Sequence, residues 1–220
     1  MPGTREMMQI NIDGVEPVFI EKDQLIESEI WSQKISIPKG QHLHIVAPSG
    51  SGKTSLIHFI YGLNSNYNGG IFYDSKKIKE LSAEEFSCYR QRNISIVFQD
   101  LKLFTEQTVR ENIELKRILN PYHSVKMIET MAECLGIKSK LDQSVKTCSY
   151  GEQQRVAIIR ALMQPFDFLL LDEPFSHLDD LNREKAMELI YEECDKRNAS
   201  MILANLNEEE FSKNERVIFL

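Results

Sequence analysis

Ala47-Pro48-Ser49-Gly50-Ser51-Gly52-Lys53-Thr54 is the stretch on which the fold turns. A short apolar segment, residues 43–47, runs into it. After it, apolar residues recur at Leu56, Phe59, Ile60 and Leu63, the spacing of one helix face. A strand that delivers a Gly/Ser loop to a helix start is the setting a phosphate-binding loop requires. Small residues let backbone N–H groups turn inward around a polyphosphate, and the helix aims its positive dipole end at the same anion. Lys53 adds a mobile charge for the outer phosphates, and Thr54 offers a hydroxyl to a divalent cation. A plain Gly/Ser turn before a helix would explain the glycines but not Lys-Thr at the helix start. The motif ordinarily opens on Gly; Ala47 stands there, at little cost while its φ stays negative. Ser49, Gly50, Ser51, Gly52, Lys53, Thr54 and Ser55 are therefore the candidate phosphate contacts.

Downstream, Phe168-Leu169-Leu170-Leu171-Asp172-Glu173-Pro174 carries two acids to the end of an apolar run. A continuous rather than alternating run reads as a strand buried on both faces, and open parallel sheets bind ligands at the carboxyl ends of their strands. Two acids there are poorly solvated unless they face a cation. Asp172 is the candidate metal ligand, and Glu173 the candidate base for an attacking water. Further strands are expected at residues 8–12, 17–20, 30–37, 94–98, 201–204 and 216–220. Asn68-Gly69-Gly70 reads as a hairpin turn. Helices are expected from Ser82, an N-cap followed by acids, and over 149–163 and 182–196. Residues 108–141 read as mostly helical with a break near Pro121. Alternating strands and helices imply an α/β fold with a mostly parallel central sheet. The helix-rich stretch 101–147 is the expected inserted lobe, with 8–100 and 148–220 as the core of one domain.

Composition narrows the function classes. The 220 residues include 26 Lys+Arg and 33 Asp+Glu, a net charge of −7, which argues against a general nucleic-acid binder. No run approaches the roughly 20 apolar residues of a membrane helix, and the charged start at Arg5 and Glu6 is unlike a signal peptide. Cys88, Cys134, Cys148 and Cys194 are scattered, with no CxxC pair, and read as thiols of a reducing compartment rather than as a zinc or disulfide framework.

At this point the chain, over roughly residues 8–220, resembles the ATP-binding cassette (ABC) ATPases, P-loop NTPases that are the motor subunits of ABC transporters. Cys148-Ser149-Tyr150-Gly151-Glu152-Gln153-Gln154-Arg155 resembles the family signature, usually Leu-Ser-Gly-Gly-Glu/Gln followed by Gln-Arg. Phe98-Gln99-Asp100 resembles the Q-loop, and Ser176-His177-Leu178-Asp179 the D-loop. The resemblance implies an N-terminal antiparallel β subdomain and an inserted α-helical lobe. It implies ATP and Mg2+ as ligands, with Thr54, Gln99 and Asp172 around the metal. It also implies a head-to-tail pair of cassettes, most simply a homodimer, in which Ser149, Gly151 and Glu152 of one chain serve the other's nucleotide. Transmembrane subunits on separate chains are the implied partners, with the cassette peripheral on the cytoplasmic face of the inner membrane. The 96 residues from Lys53 to Ser149 leave no room for the coiled coil of chromosome-type cassettes. The compact layout is most like bacterial lipoprotein-release, macrolide-export and cell-division cassettes.

Departures from the family pattern motivate an alternative, a slowly hydrolysing or non-hydrolysing regulatory subunit. Tyr150 replaces the first signature Gly and Cys148 the leading Leu. The family's γ-phosphate-contacting His falls at Leu206, or at Asn205 with a shift of one, and no His follows His177. The adenine-contacting aromatic falls at Phe19, with Trp31 as the alternative.

Overall fold

The computed structural model describes residues 6–19, 28–206 and 216–220. Two sheets and six α-helices organise them. The first sheet is antiparallel, built from β1 (Gln9–Pro17), β2 (Lys34–Pro38), β4 (Tyr67–Tyr73) and β5 (Lys76–Lys77) in the order β2-β1-β4-β5. The second is parallel throughout, with β6 (Ile94–Val97), β7 (Phe168–Asp172), β8 (Ser200–Asn205), β3 (Leu43–Val46) and β9 (Arg216–Phe219) in the order β6-β7-β8-β3-β9. The helices are α1 (Lys53–Ile60), α2 (Ala83–Arg92), α3 (Val109–Leu119), α4 (Lys126–Cys134), α5 (Tyr150–Leu162) and α6 (Asp180–Arg197).

β7 shows why its sequence is apolar without alternation. Leu169 and Leu171 face one core with the α3, α4, α5 and α6 side chains. Phe168 and Leu170 face the other, with α1 and the antiparallel sheet. A strand with period-two side chains and helices or a sheet on both faces needs apolar residues at every position. The helices of segment 101–147 share the first of these cores, with α3 packed on α5 and α4 on α5 and α6, and Val109, Ile113, Ile128 and Met131 buried there.

Three local readings are corrected. Residues 8–12 and 17–20 are not two strands. β1 is continuous from Gln9 to Pro17, with a register shift between Asp13 and Glu16; Val18 and Phe19 form a turn, and Ile20 lies outside the described residues. Asn68-Gly69-Gly70 is not a hairpin turn but lies inside β4. The glycine there answers a distant demand: a Cβ on Gly69 would sit 2.1 Å from the Gly14 carbonyl oxygen, at the β1 irregularity. Finally, residues 30–37 are strand only from Lys34, with Ile30 and Trp31 buried in the preceding turn. α2, α3 and α5 each open on a capping box, at Ser82/Glu85, Thr108/Glu111 and Ser149/Glu152.

Candidate functional site

The phosphate-binding loop leaves β3 and enters α1 through Gly52, a left-handed N-cap with φ 100°. Ser49 and Gly50 are exposed at its rim. Lys53 is folded back, its side chain 4% exposed. Its ammonium donates to the Ala47 carbonyl at 2.7 Å and the Pro48 carbonyl at 2.9 Å, and lies 3.6 Å from Glu173 Oε1. Ser51 Oγ also donates to the Pro48 carbonyl. Ser55 is partly exposed on the first turn of α1.

Beside the loop, three oxygens from three elements converge. Thr54 Oγ1 is 3.0 Å from Gln99 Oε1 and 3.2 Å from Asp172 Oδ1. Thr54 arrives on α1, Gln99 on the loop after β6 and Asp172 at the end of β7. Asp172 is fully buried and its Oδ2 has no hydrogen-bond partner. Burial pushes its carboxyl up to about 6; Glu173 and Asp100 add to this, while the Thr54 hydroxyl and Lys53 pull it back. A buried carboxylate with an orphaned oxygen, next to a hydroxyl and an amide oxygen, is a donor set that suits a hard divalent cation. Glu173 has φ +46°, a conformation that costs a non-glycine residue about 1 kcal/mol or more. The Glu173 N–H donates to the Ala204 carbonyl of β8, so the sheet itself holds the residue in that conformation.

The β8 end brings both Asn205 and Leu206 to the phosphate loop. Asn205 pairs with Val46 and its carbonyl accepts from Ala47 N–H, placing it directly beside the phosphate loop. It is 6% exposed and its Nδ2 has no partner. Leu206 is half-exposed and lines a cavity of about 630 Å³ with Ala47, Pro48, Ser49, Gly50 and Ser51. Of the two aromatics, Trp31 is core, edge-on to Phe59. Phe19 is 57% exposed, its ring 6.5 Å from Phe59.

The signature segment lies across the same face. Ser149 caps α5: its Oγ accepts from Glu152 N–H, and Glu152 Oε2 accepts from Ser149 N–H. Because Oγ accepts there, its own proton is left to donate outward. The Glu152 carboxylate is turned onto the cap and Lys140, at 3.6 Å. Gly151 packs so closely on the 176–179 loop that a Cβ would sit 2.9 Å from the His177 carbonyl oxygen. Gln154, which sequence reading left without a role, is fully buried, donates to Ser176 Oγ and accepts from His177 N–H. Tyr150 donates to the Gln99 carbonyl at 3.1 Å, and its ring lies 4.3 Å from that of His177.

Residues 32–176 match the family model described as ABC transporter. The chain is 33% identical over 183 residues to the lipoprotein-releasing system ATP-binding protein LolD 2 of Chlorobaculum tepidum, spanning 80% of this chain and 74% of that protein. It is 32% identical over 182 residues to the thiamine import ATP-binding protein ThiQ of Vibrio parahaemolyticus, with the same coverage, 80% and 74%. The fold matches the dimeric post-hydrolysis structure of the ATP-binding cassette MJ0796 bound to ADP and Pi. The TM-score is 0.79 at 26% identity, over 96% of this chain and 94% of that one. With the phosphate loop, the acidic strand end and the signature helix on one face, the chain belongs to the ABC transporter family and is one of its ATP-binding cassettes, an ATPase.

Proposed function

We propose that the chain hydrolyses MgATP as one half of a head-to-tail pair of cassettes and so powers a membrane transport or mechanotransmission complex. The observation that carries this is the convergence of Thr54, Gln99 and Asp172 beside Lys53 and Glu173. Thr54 Oγ1, Gln99 Oε1 and Asp172 would hold Mg2+, which supplies charge neutralisation at the phosphate oxygens. Lys53 exchanges its loop carbonyls for the outer phosphates. Glu173 orients a water and takes its proton. Ser149 Oγ–H and the N–H groups at the start of α5, Gly151 among them, form an anion cradle that one chain offers to its partner's nucleotide. Residues 101–147 act as the lobe that meets the membrane subunits, on the cytoplasmic face of the inner membrane. No described helix is long and apolar enough to cross a membrane, and relatives named for lipoprotein release and thiamine import support separate membrane subunits. Lipoprotein-release-type complexes are the system we favour, given the compact spacing of Lys53 and Ser149.

Asn205 favours a second reading, slow turnover in a regulatory subunit. An amide at the β8 end donates a hydrogen bond but cannot take up a proton as imidazole does. Magnesium-dependent ATP turnover, measured beside a Glu173→Gln variant, separates the two. The hydrolase reading expects turnover in the parent and a loss of about 10²-fold or more in the variant, with ATP binding retained. Tight binding without turnover in the parent would refute it and leave the regulatory reading.

A further inference from the structure

Tyr150 stands where the signature pattern has glycine, and its side chain joins two loops of the site face to the start of α5. The hydroxyl reaches the Gln99 carbonyl, the ring packs on His177, and the backbone opens α5. Gln99 is itself joined to Thr54 through its side-chain oxygen. His177 is tied to α5 a second time, through Gln154. A glycine at 150 would make neither side-chain contact. Tyr150 is 42% exposed, so the phenol is held by these two contacts rather than by enclosure in a core.

We propose that Tyr150 is a positioning residue. It links the Gln99 loop, which serves a chain's own nucleotide, to the signature helix and the 176–179 loop, which that chain presents to its partner. The proposal rests on the paired-site reading above. A hydrogen bond that forms only when two elements are in register adds a coupling free energy between them, and the coupling is reciprocal. One neutral hydrogen bond of ordinary net strength corresponds to a roughly three- to tenfold change in an equilibrium. A residue that touched the nucleotide would act on KM. A residue that only filled space would act on melting temperature. A link between the two half-sites acts on kcat.

The test uses the full chain with Tyr150→Phe, which removes only the hydroxyl, and Tyr150→Gly, which also removes the ring. Binding of a fluorescent ATP analogue, kcat and KM for ATP, and amide exchange over residues 99–102 and 176–178 are measured for each. The expected result for Tyr150→Phe is analogue binding within about twofold of the parent, kcat lowered roughly three- to tenfold, and KM little changed. Exchange at 99–102 accelerates by a similar factor. Tyr150→Gly accelerates exchange at 176–178 as well. A Tyr150→Phe variant with parental kcat and parental exchange at 99–102 overturns the proposal. So does a rise in KM at constant kcat. A parent that binds ATP without turning it over sinks the hydrolase reading alone, because the exchange comparison needs no turnover and decides the role of Tyr150 by itself.

Discussion

Replacing Asp172 by Asn should stabilise the protein in the absence of nucleotide and magnesium, although it removes a central group of the site. The Asp172 carboxyl titrates near 6 rather than at 3.8, a rise of about two units, or about 3 kcal/mol at 1.36 kcal/mol per unit. The sign follows from proton binding. Between the two values the folded chain holds a proton that the unfolded chain has released, so this group's contribution to stability falls as pH rises. Above pH 6 the ionised carboxylate carries the full penalty; toward pH 4 the penalty fades. Asn keeps an oxygen for the Thr54 hydroxyl, but its amide nitrogen takes the place of an Oδ2 that has no partner. A buried, unpaired amide costs about 1 kcal/mol. The net gain at pH 7.5 is then about 2 kcal/mol, which for a chain of this size raises the melting temperature by about 4–8 °C. At pH 4.5 about 1 kcal/mol of the penalty remains, the unpaired amide offsets it, and the two proteins should melt together. Scanning calorimetry of both proteins at pH 7.5 and 4.5, with EDTA, measures this directly. An Asp172→Asn variant that melts at or below the parent at pH 7.5 would refute the reasoning, and so would an advantage that persists unchanged at pH 4.5.

Gly151→Ala places a methyl group 2.9 Å from a backbone oxygen that cannot rotate away. The 176–179 loop must shift, and we expect a stability loss of about 1–3 kcal/mol and a clear fall in kcat, read by thermal melting and turnover. Glu193 gives an acid-stability prediction far from the site. Burial alone would raise its carboxyl, but the His123 hydrogen bond, the Arg197 charge and the Lys196 contact overcome this and lower it to about 2 from 4.5. Its contribution, about 3 kcal/mol, is present above pH 4.5 and is lost as pH falls through 2, which urea titrations at pH 7, 4 and 3 will show. Glu193→Gln at pH 7 leaves the Arg197 side chain, 3% exposed, without its carboxylate, and should cost about 3–5 kcal/mol in the same titration.

What could be read from sequence was local or periodic. The phosphate loop announces itself because the backbone needs small residues and the ligand needs Lys53 and Thr54 at fixed offsets. β7 announces itself because burial on two faces leaves no polar position. Asn68-Gly69-Gly70 misled because glycine pairs are common in turns, while the demand at Gly69 comes from Gly14, 55 residues earlier in the chain. Ser149 was legible in part. Its place in the signature pointed to an anion, and the Ser-x-x-Glu spacing to Glu152, which marks a capping box, was there to be read as well. Where Asn205 and Leu206 end up could not be read by counting residues, because it depends on the β3–β8 register, which pairs Asn205 with Val46 and leaves Leu206 just beyond the strand.

Four groups that the fold holds at a cost lie at one end of the parallel sheet. Asp172 keeps an orphaned oxygen, Asn205 an orphaned amide nitrogen, and Glu173 a left-handed backbone. Lys53 spends its charge largely on carbonyls. A chain selected for stability alone would have no reason to retain all four beside one loop, since apolar or paired replacements cost less. A ligand that brings oxygen-rich negative charge together with a divalent cation offsets most of them at once. On the proposed MgATP reading the cation would answer Asp172, and the phosphates would give Lys53 a stronger partner than a carbonyl and the Asn205 amide nitrogen an acceptor. The strain at Glu173 would remain, as expected of the base we propose, which faces the reacting atoms rather than the sheet. Tyr150 belongs to a different economy. Its two side-chain contacts lie within its own chain, on the Gln99 and 176–179 loops, which on the proposed reading serve the two half-sites.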